Sequence, residues 1–355
     1  MPNPSVSVLT SAGNVQLHRI SSPEASAHHR NLITDVDGIW VGNAEDAGAR
    51  TGVTVILAEE PAIAAVDVRG GAPGTRETDL LSPTSLVQKV DAIVLSGGSA
   101  FGLDAASGTA NWLLAAGRGF PVGPVRVPIV PSAILFDLLN GGDKNWSEPP
   151  YRALGRAACE SAGRDFAIGN RGAGLGAIAG ELKGGLGSAS ISLSNGIVVG
   201  ALVAVNAVGS PLIPGTRTLW SWAAERDGEF GHNGPPNAMP DWSKPYGKRG
   251  PRPGANTTIG VIATNATLSP GQAQRMALMA HDGIARAVRP AHSPFDGDTL
   301  FAMATGRNTS VIEAPELAAI GDAAAECVER AIGRAVYAAE ALGDIPALRS
   351  LGPPV

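Results

Sequence analysis

Short β-branched runs bounded by Gly, Asn or Pro recur along the chain at 38–42, 52–57, 62–68, 92–95, 125–130, 196–205 and 257–264, and each reads as a strand. Between them, small and apolar residues at three- and four-residue spacing predict core-facing helices over 101–116 and 151–162. The C-terminal third carries the clearest helix signal. Ser269 offers an N-cap, Pro270 the first helical position and Gln272 the partner of a capping box. Ala273, Met276, Ala277, Ala280, Ile284 and Ala287 then mark one face of a helix running to about Val288. A strand over 299–304 and an alanine-rich helix over 315–342 complete the pattern, and no self-similar repeat interrupts it.

One region has no sustained period. Residues 210–255 are rich in Pro and Gly and carry Trp220, Trp222, Trp242 and Tyr246. Loops this long inside a compact domain are usually functional or mobile, and linkers rarely carry several tryptophans whose apolar area needs cover. The segment is therefore expected to pack on the body or on a neighbouring subunit, and it delivers the chain directly into the strand that begins at Thr257.

Composition narrows the function classes. The 355 residues carry a net charge of −5, 44% hydrophobic and 17% charged residues, which describes a soluble globular chain. Its single dense basic stretch, 244–252, is too little for a nucleic-acid or anionic-membrane partner. No run approaches the roughly 20 apolar residues of a membrane helix, and residues 1–13 lack a basic, apolar leader, so the expected compartment is the cytoplasm. Cys159 and Cys327 form no CxxC pair and read as buried small hydrophobes; with no HExxH, and His28-His29 in a polar stretch, neither a metal nor a cofactor is expected. The 46 glycines against 5% aromatic residues favour sheets and helices that stack closely.

Several short segments carry candidate chemistry. Ser96-Gly97-Gly98-Ser99-Ala100-Phe101-Gly102 lies between a strand and a helix, where backbone N–H groups can bind an anion, but it fits none of GxGxxG, GxxxxGK[ST] or GxSxG. A tight turn lining a pocket suits it better than a nucleotide site, and a non-enzymatic nucleotide-binding α/β protein stays as an alternative. Asn256-Thr257-Thr258-Ile259 opens a strand after the long loop. Asp296-Gly297-Asp298-Thr299 precedes another, and Lys183 and Asn206 are polar residues in apolar or Gly-rich surroundings. Taken singly, each also reads as a turn, a cap or a solvated charge.

Together these segments resemble a known family. Asp35-Val36-Asp37-Gly38-Ile39, the 96–102 loop with Leu103-Asp104-Ala105, Gly172-Ala173-Gly174, Asn256-Thr257-Thr258-Ile259 and Asp296-Gly297-Asp298-Thr299-Leu300-Phe301 occur in the order found in the self-cleaving DmpA/NylC-type hydrolases. That family includes the L-aminopeptidase/D-esterase, the β-aminopeptidases and the aminohexanoate-oligomer endohydrolase, or nylon hydrolase. The resemblance spans about residues 31–342. It implies an α+β fold, an αββα four-layer sandwich of the DmpA/ornithine acetyltransferase type, in which an N-terminal extension (1–30) precedes one catalytic domain (31–355). It also implies self-cleavage between Asn256 and Thr257 into 31–256, with the extension, and 257–355, and assembly of the processed pairs as a homo-oligomer, a tetramer.

The resemblance assigns roles residue by residue. Thr257 becomes the N-terminal nucleophile, and its α-amine, ordinarily near pKa 7.7–8.0, can serve as its base. Asp296 and Asp298 orient it, Lys183 supplies nearby positive charge and Asn206 donates to the oxyanion. Ser99 and Phe136 are assigned to substrate binding. Phe136 stands where the nylon hydrolase has a tyrosine thought to contribute, so that hydroxyl is missing here, and 99–104 is closer to the aminopeptidase members. The expected activity is a self-processing hydrolase of small peptides or amino-acid amides. The alternatives are endo-type hydrolysis of aminohexanoate oligomers and amine acyl transfer of the ornithine acetyltransferase kind.

Overall fold

A computed structural model describes residues 29–351 except 233, 238 and 244–255. The 1–30 extension up to residue 28, the basic stretch and Tyr246 therefore lie outside the described residues. In chain order the first strands are β1 (Ile39–Asp46), β2 (Thr51–Val68), β3 (Thr75–Arg76) and β4 (Lys89–Ser96), followed by helix α1 (Ala105–Ala115). A hairpin, β5 (Phe120–Val122) and β6 (Val125–Val127), leads to β7 (Ser132–Ile134) and α2 (Tyr151–Glu160). A second small hairpin, β8 (Ile178–Ala179) and β9 (Leu182–Lys183), precedes β10 (Gly185–Ser192) and β11 (Val198–Asn206). After the long excursion come β12 (Thr257–Ala266), α3 (Pro270–Ala287), β13 (Thr299–Asn308) and α4 (Ala314–Ala338).

The main sheet runs β10-β11-β12-β13-β2-β4-β7-β3, with β1 also on β2. Strand β2 belongs to two halves: residues 51–58 pair with β1, residues 63–68 with β13, and the ladder to β4 slips between Leu57 and Ala62. Side chains alternating along each strand then fill three cores. Val53, Val55, Ala92 and Val94 pack outward under α1 and α2, with Leu113 and Tyr151. Ile56, Ile93 and Leu95 turn the other way and meet Leu202, Ala204, Ile259, Val261, Phe301 and Met303 of the second half. That half shows its opposite side, Val199, Val203, Ile262 and Leu300, to Met276, Ile284, Val328 and Ile332 of α3 and α4. Helices, sheet, sheet, helices: this is the four-layer α+β sandwich expected.

Several elements differ from the sequence reading for identifiable reasons. The runs at 52–57 and 62–68 are one 18-residue strand, because the slip lets β2 change partners without ending. Strand β10 carries mostly Gly, Ser and Ala and gives no β-branched signal. It exists because α4 lies directly on it, so close that a Cβ on Gly187 would come within 1.9 Å of the Ala331 carbonyl oxygen. The 125–130 run is no core strand; Val122, Val125 and Val127 are exposed on the β5–β6 hairpin. The 101–116 helix opens as a 3-10 turn over Ser99–Asp104. The α3 cap forms as predicted, Ser269 Oγ accepting from Gln272 N and Gln272 Oε1 from Ser269 N. Both cysteines are buried, and among the described residues no helix is long and apolar enough to cross a membrane.

The described part of the excursion packs on the body. Leu219 and Phe230 join the core under α3 and α4, Trp220 stacks with Trp242, and the Arg289 guanidinium lies 3.9 Å from the Trp220 ring centre. Glu229 is held by buried Arg330 (2.6 and 2.9 Å), which also donates to Ser190 O and Asn31 Oδ1. Arg334 adds the Asn31 and Ser188 carbonyls.

Candidate active site

Thr257 and Asn206 are register partners on β12 and β11. Side-chain alternation puts both on the face that carries Ile259 and Ala204, the layer between the two half-sheets. Asn206 is fixed at both ends of its amide: Oδ1 accepts from Ile178 N (2.8 Å) and Nδ2 donates to the Phe136 carbonyl (3.1 Å). Ile178 pairs with Lys183 across the small hairpin, which sets the lysine one strand away. Lys183 is fully buried and aims its ammonium at two carbonyls, Gly174 O (2.8 Å) and Gly184 O (2.9 Å). Ser99, at φ +52°, donates its N–H to Leu135 O, which places it beside the segment that carries Phe136.

With the Asn256–Thr257 peptide bond intact, Thr257 Oγ1 donates to the Asn256 carbonyl oxygen at 2.5 Å, and the same oxygen accepts from Gly297 N at 3.1 Å. Asn256 and Asp296 form a parallel bridge there. Asp296 accepts from Val208 N and from Ser293 N and Oγ, while Asp298 Oδ1 accepts from Thr258 N at 2.7 Å. The Asp296 backbone thus bridges Asn256 on one side of Thr257, and the Asp298 carboxylate holds Thr258 on the other. Burial, and then the charge of Asp298, pushes the Asp296 carboxyl up.

Sequence reasoning did not single out three groups. The Gly297 N–H is a backbone donor, invisible to any side-chain motif; a Cβ there would lie 2.7 Å from Thr257 Oγ1. Asp137 ends the Phe136 segment and is buried, its carboxylate accepting from Thr51 Oγ1 (2.6 Å) and Gly98 N (2.8 Å), with its pKa raised by burial. His292 contacts Asp298 Oδ2; as a lone histidine in a proline-flanked loop it showed no signal.

Burial pulls the Lys183 ammonium down from 10.5 to about 7, against the opposing attraction of Asp137. Between those values the unfolded chain binds this proton more tightly than the native protein. The cost to stability is therefore full below about pH 7 and fades as pH rises toward 10.5. Measured against Lys183→Met, wild type should gain relative stability from pH 7 to 9.5, by about 2–3 kcal/mol at ~1.4 kcal/mol per unit. Urea titrations at several pH values check this; a difference independent of pH overturns the lowered Lys183 pKa.

Residues 31–346 match the family model described as peptidase family S58. The chain is 46% identical over 345 residues to a Mycobacterium tuberculosis protein named as an uncharacterized aminopeptidase, covering 91% of this chain and 98% of that one. It is 32% identical over 292 residues to the 6-aminohexanoate-oligomer endohydrolase of Kocuria sp., covering 80% and 77%. Among solved structures it is similar to a Burkholderia sp. β-aminopeptidase, with TM-score 0.64, 27% identity and 87% of each chain covered. The L-aminopeptidase D-Ala-esterase/amidase of Ochrobactrum anthropi shares the fold, described there as a variant of the Ntn-hydrolase fold, with TM-score 0.66, 24% identity and 89% and 88% covered.

Proposed function

Because this chain belongs to peptidase family S58, we propose that it is an aminopeptidase-like amide hydrolase that cuts itself between Asn256 and Thr257 and then works with Thr257 as an N-terminal nucleophile. The observation that carries this is the Asn256 carbonyl, which has the Thr257 hydroxyl and the Gly297 N–H on one oxygen. Attack of Oγ1 on that carbonyl carbon closes a five-membered ring, with the oxyanion held by Gly297 N–H. Collapse breaks the C–N bond, the hydroxyl proton ends on the Thr257 nitrogen and frees its α-amine, and water hydrolyses the resulting ester to the Asn256 carboxylate and the Thr257 hydroxyl. The enzyme then comprises 1–256 and 257–355.

In the cut enzyme the new amine arises beside Asp296, the former bridge partner of Asn256, and accepts the Oγ1 proton as substrate is attacked. Asn206, opposite Thr257, donates to the substrate oxyanion; Asp298 fixes the Thr258 N–H and with it the position of the nucleophile. Water resolves the acyl-Thr257 ester.

Substrate mode follows from Phe136 and the 99–104 loop. An amino-acid p-nitroanilide should turn over at least roughly tenfold faster than its N-acetylated form, and faster than an aminohexanoate oligomer. All three are to be compared on one preparation whose fragments are identified by intact mass. If acetylation has no effect, or the oligomer is the best substrate, the endo-acting activity named for the Kocuria relative replaces this reading.

A further inference from the structure

The carboxylate that fixes the nucleophile is itself fixed from behind. Asp298 Oδ1 takes the Thr258 N–H, while Oδ2 takes both the backbone N–H of His292 (3.0 Å) and its ring Nδ1 (2.8 Å). The Asp298 carboxylate is almost wholly buried, whereas the His292 ring is about one-fifth exposed. His292 sits at φ +56°, a conformation few side chains adopt without cause. Its ring meets that of buried His281 on α3 edge-on, with centres 5.0 Å apart, and His281 Nε2 lies 3.0 Å from the Asp67 carbonyl of β2. A continuous series of contacts therefore runs from β2 and α3 through His281, His292 and Asp298 to the N–H of Thr258, next to the reacting residue.

Resting on the Thr257 reading, the geometry points to His292 as a positioning residue. Its Nδ1–H holds Asp298 in the one orientation that fixes the Thr257–Thr258 peptide, and so aims the Thr257 hydroxyl both for self-cleavage and for turnover. Cutting the chain removes the covalent restraint on the N-terminal side of Thr257. From then on its place depends on the β12 ladder and on Asp298, and this is when the histidine matters most.

The test uses full-length protein and three substitutions. His292→Phe keeps the ring against His281 but removes the Nδ1 donor, and His292→Ala removes both. His292→Asn supplies an N–H donor on a residue that tolerates positive φ. Cleavage is followed by intact mass, and kcat and KM by hydrolysis of an amino-acid p-nitroanilide. Losing a hydrogen bond to a charged group should slow cleavage and lower kcat roughly 10- to 100-fold for the Phe and Ala variants. KM should stay within about twofold, and the Asn variant should recover most of both rates. His292→Phe or His292→Ala with wild-type rates overturns the proposal, as does an Asn variant as slow as the Phe variant, or a change confined to KM. If His292→Phe does not fold, the Ala and Asn pair decides in the same way. Wild-type protein that stays uncut at Asn256–Thr257 sinks the Thr257 reading and this proposal with it; wild-type protein that cuts while His292→Phe matches it sinks only the latter.

Discussion

Thr257→Ala is expected to leave the protein as an intact 355-residue chain with no measurable hydrolysis, the largest single effect in this molecule. The methyl group fills the same site at the start of β12, keeps the ladder to Asn206 and Thr299-bearing β13, and leaves the Thr258 N–H on Asp298, so the fold should persist. What goes is the hydroxyl that donates to the Asn256 carbonyl. Removing a nucleophile costs roughly 10⁴-fold or more in kcat. Thr257→Ser keeps the hydroxyl and should retain part of both cleavage and turnover. Intact mass after prolonged incubation, alongside p-nitroanilide hydrolysis, checks the pair. A fully active Thr257→Ala protein, or an active wild type that remains one chain, would falsify the nucleophile assignment.

The second largest effect is expected at Asn206. Its amide is held between Ile178 N and Phe136 O, so its Nδ2 is preorganised opposite Thr257 rather than recruited at the moment of reaction. Asn206→Ala should lower kcat by about 10² to 10³, as loss of one oxyanion donor typically does. Asn206→Asp is the sharper comparison. It keeps the volume and the acceptor for Ile178 N, but loses the donor and brings a negative charge to where the oxyanion develops, so its loss should equal or exceed that of the alanine variant. Both are to be scored on protein shown by mass to be cut, since a defect in cleavage would otherwise be read as one in turnover. Near-wild-type kcat in a correctly cut Asn206→Ala enzyme would reassign the oxyanion donor.

Local sequence carries some of this architecture plainly. Ser269, Pro270 and Gln272 form a cap whose partners are three residues apart, and the stripe from Ala273 to Ala287 fixes which side of α3 faces the sheet. The runs opening at Thr257 and Thr299 become neighbouring parallel strands, so the residues at their N-terminal ends, Thr257 and Asp298, come together once the register is set. Other features depend on groups far apart in the chain. Strand β10 is stabilised by contact with α4, about 140 residues later, and leaves little trace in its own composition. The Gly297 N–H has no side chain to signal it, and His292 acquires meaning only when the 289–296 loop folds back over Asp298. Lys183 looked like a solvated charge; its burial arises because Gly174 and Gly184 bring their carbonyls to it.

Strands β12 and β13 occupy the middle of the sheet, clasped by β11 on one side and β2 on the other, while Arg330 and Arg334 of α4 grip Glu229 and the Asn31 segment. A break at residue 256 therefore separates the chain without separating the structure: the smaller piece is interleaved, and it can leave only after ladders on both flanks have opened. The direction of time then matters. An uncut chain folds as a unimolecular process, with its strands tethered in the right order, whereas two unfolded pieces must find each other and thread two internal strands into a gap that neither flank can hold open alone. On the self-cleavage proposed above, the severed protein would be preserved by its slow opening rather than by an equilibrium it could regain, and the uncut chain would serve as a template used once.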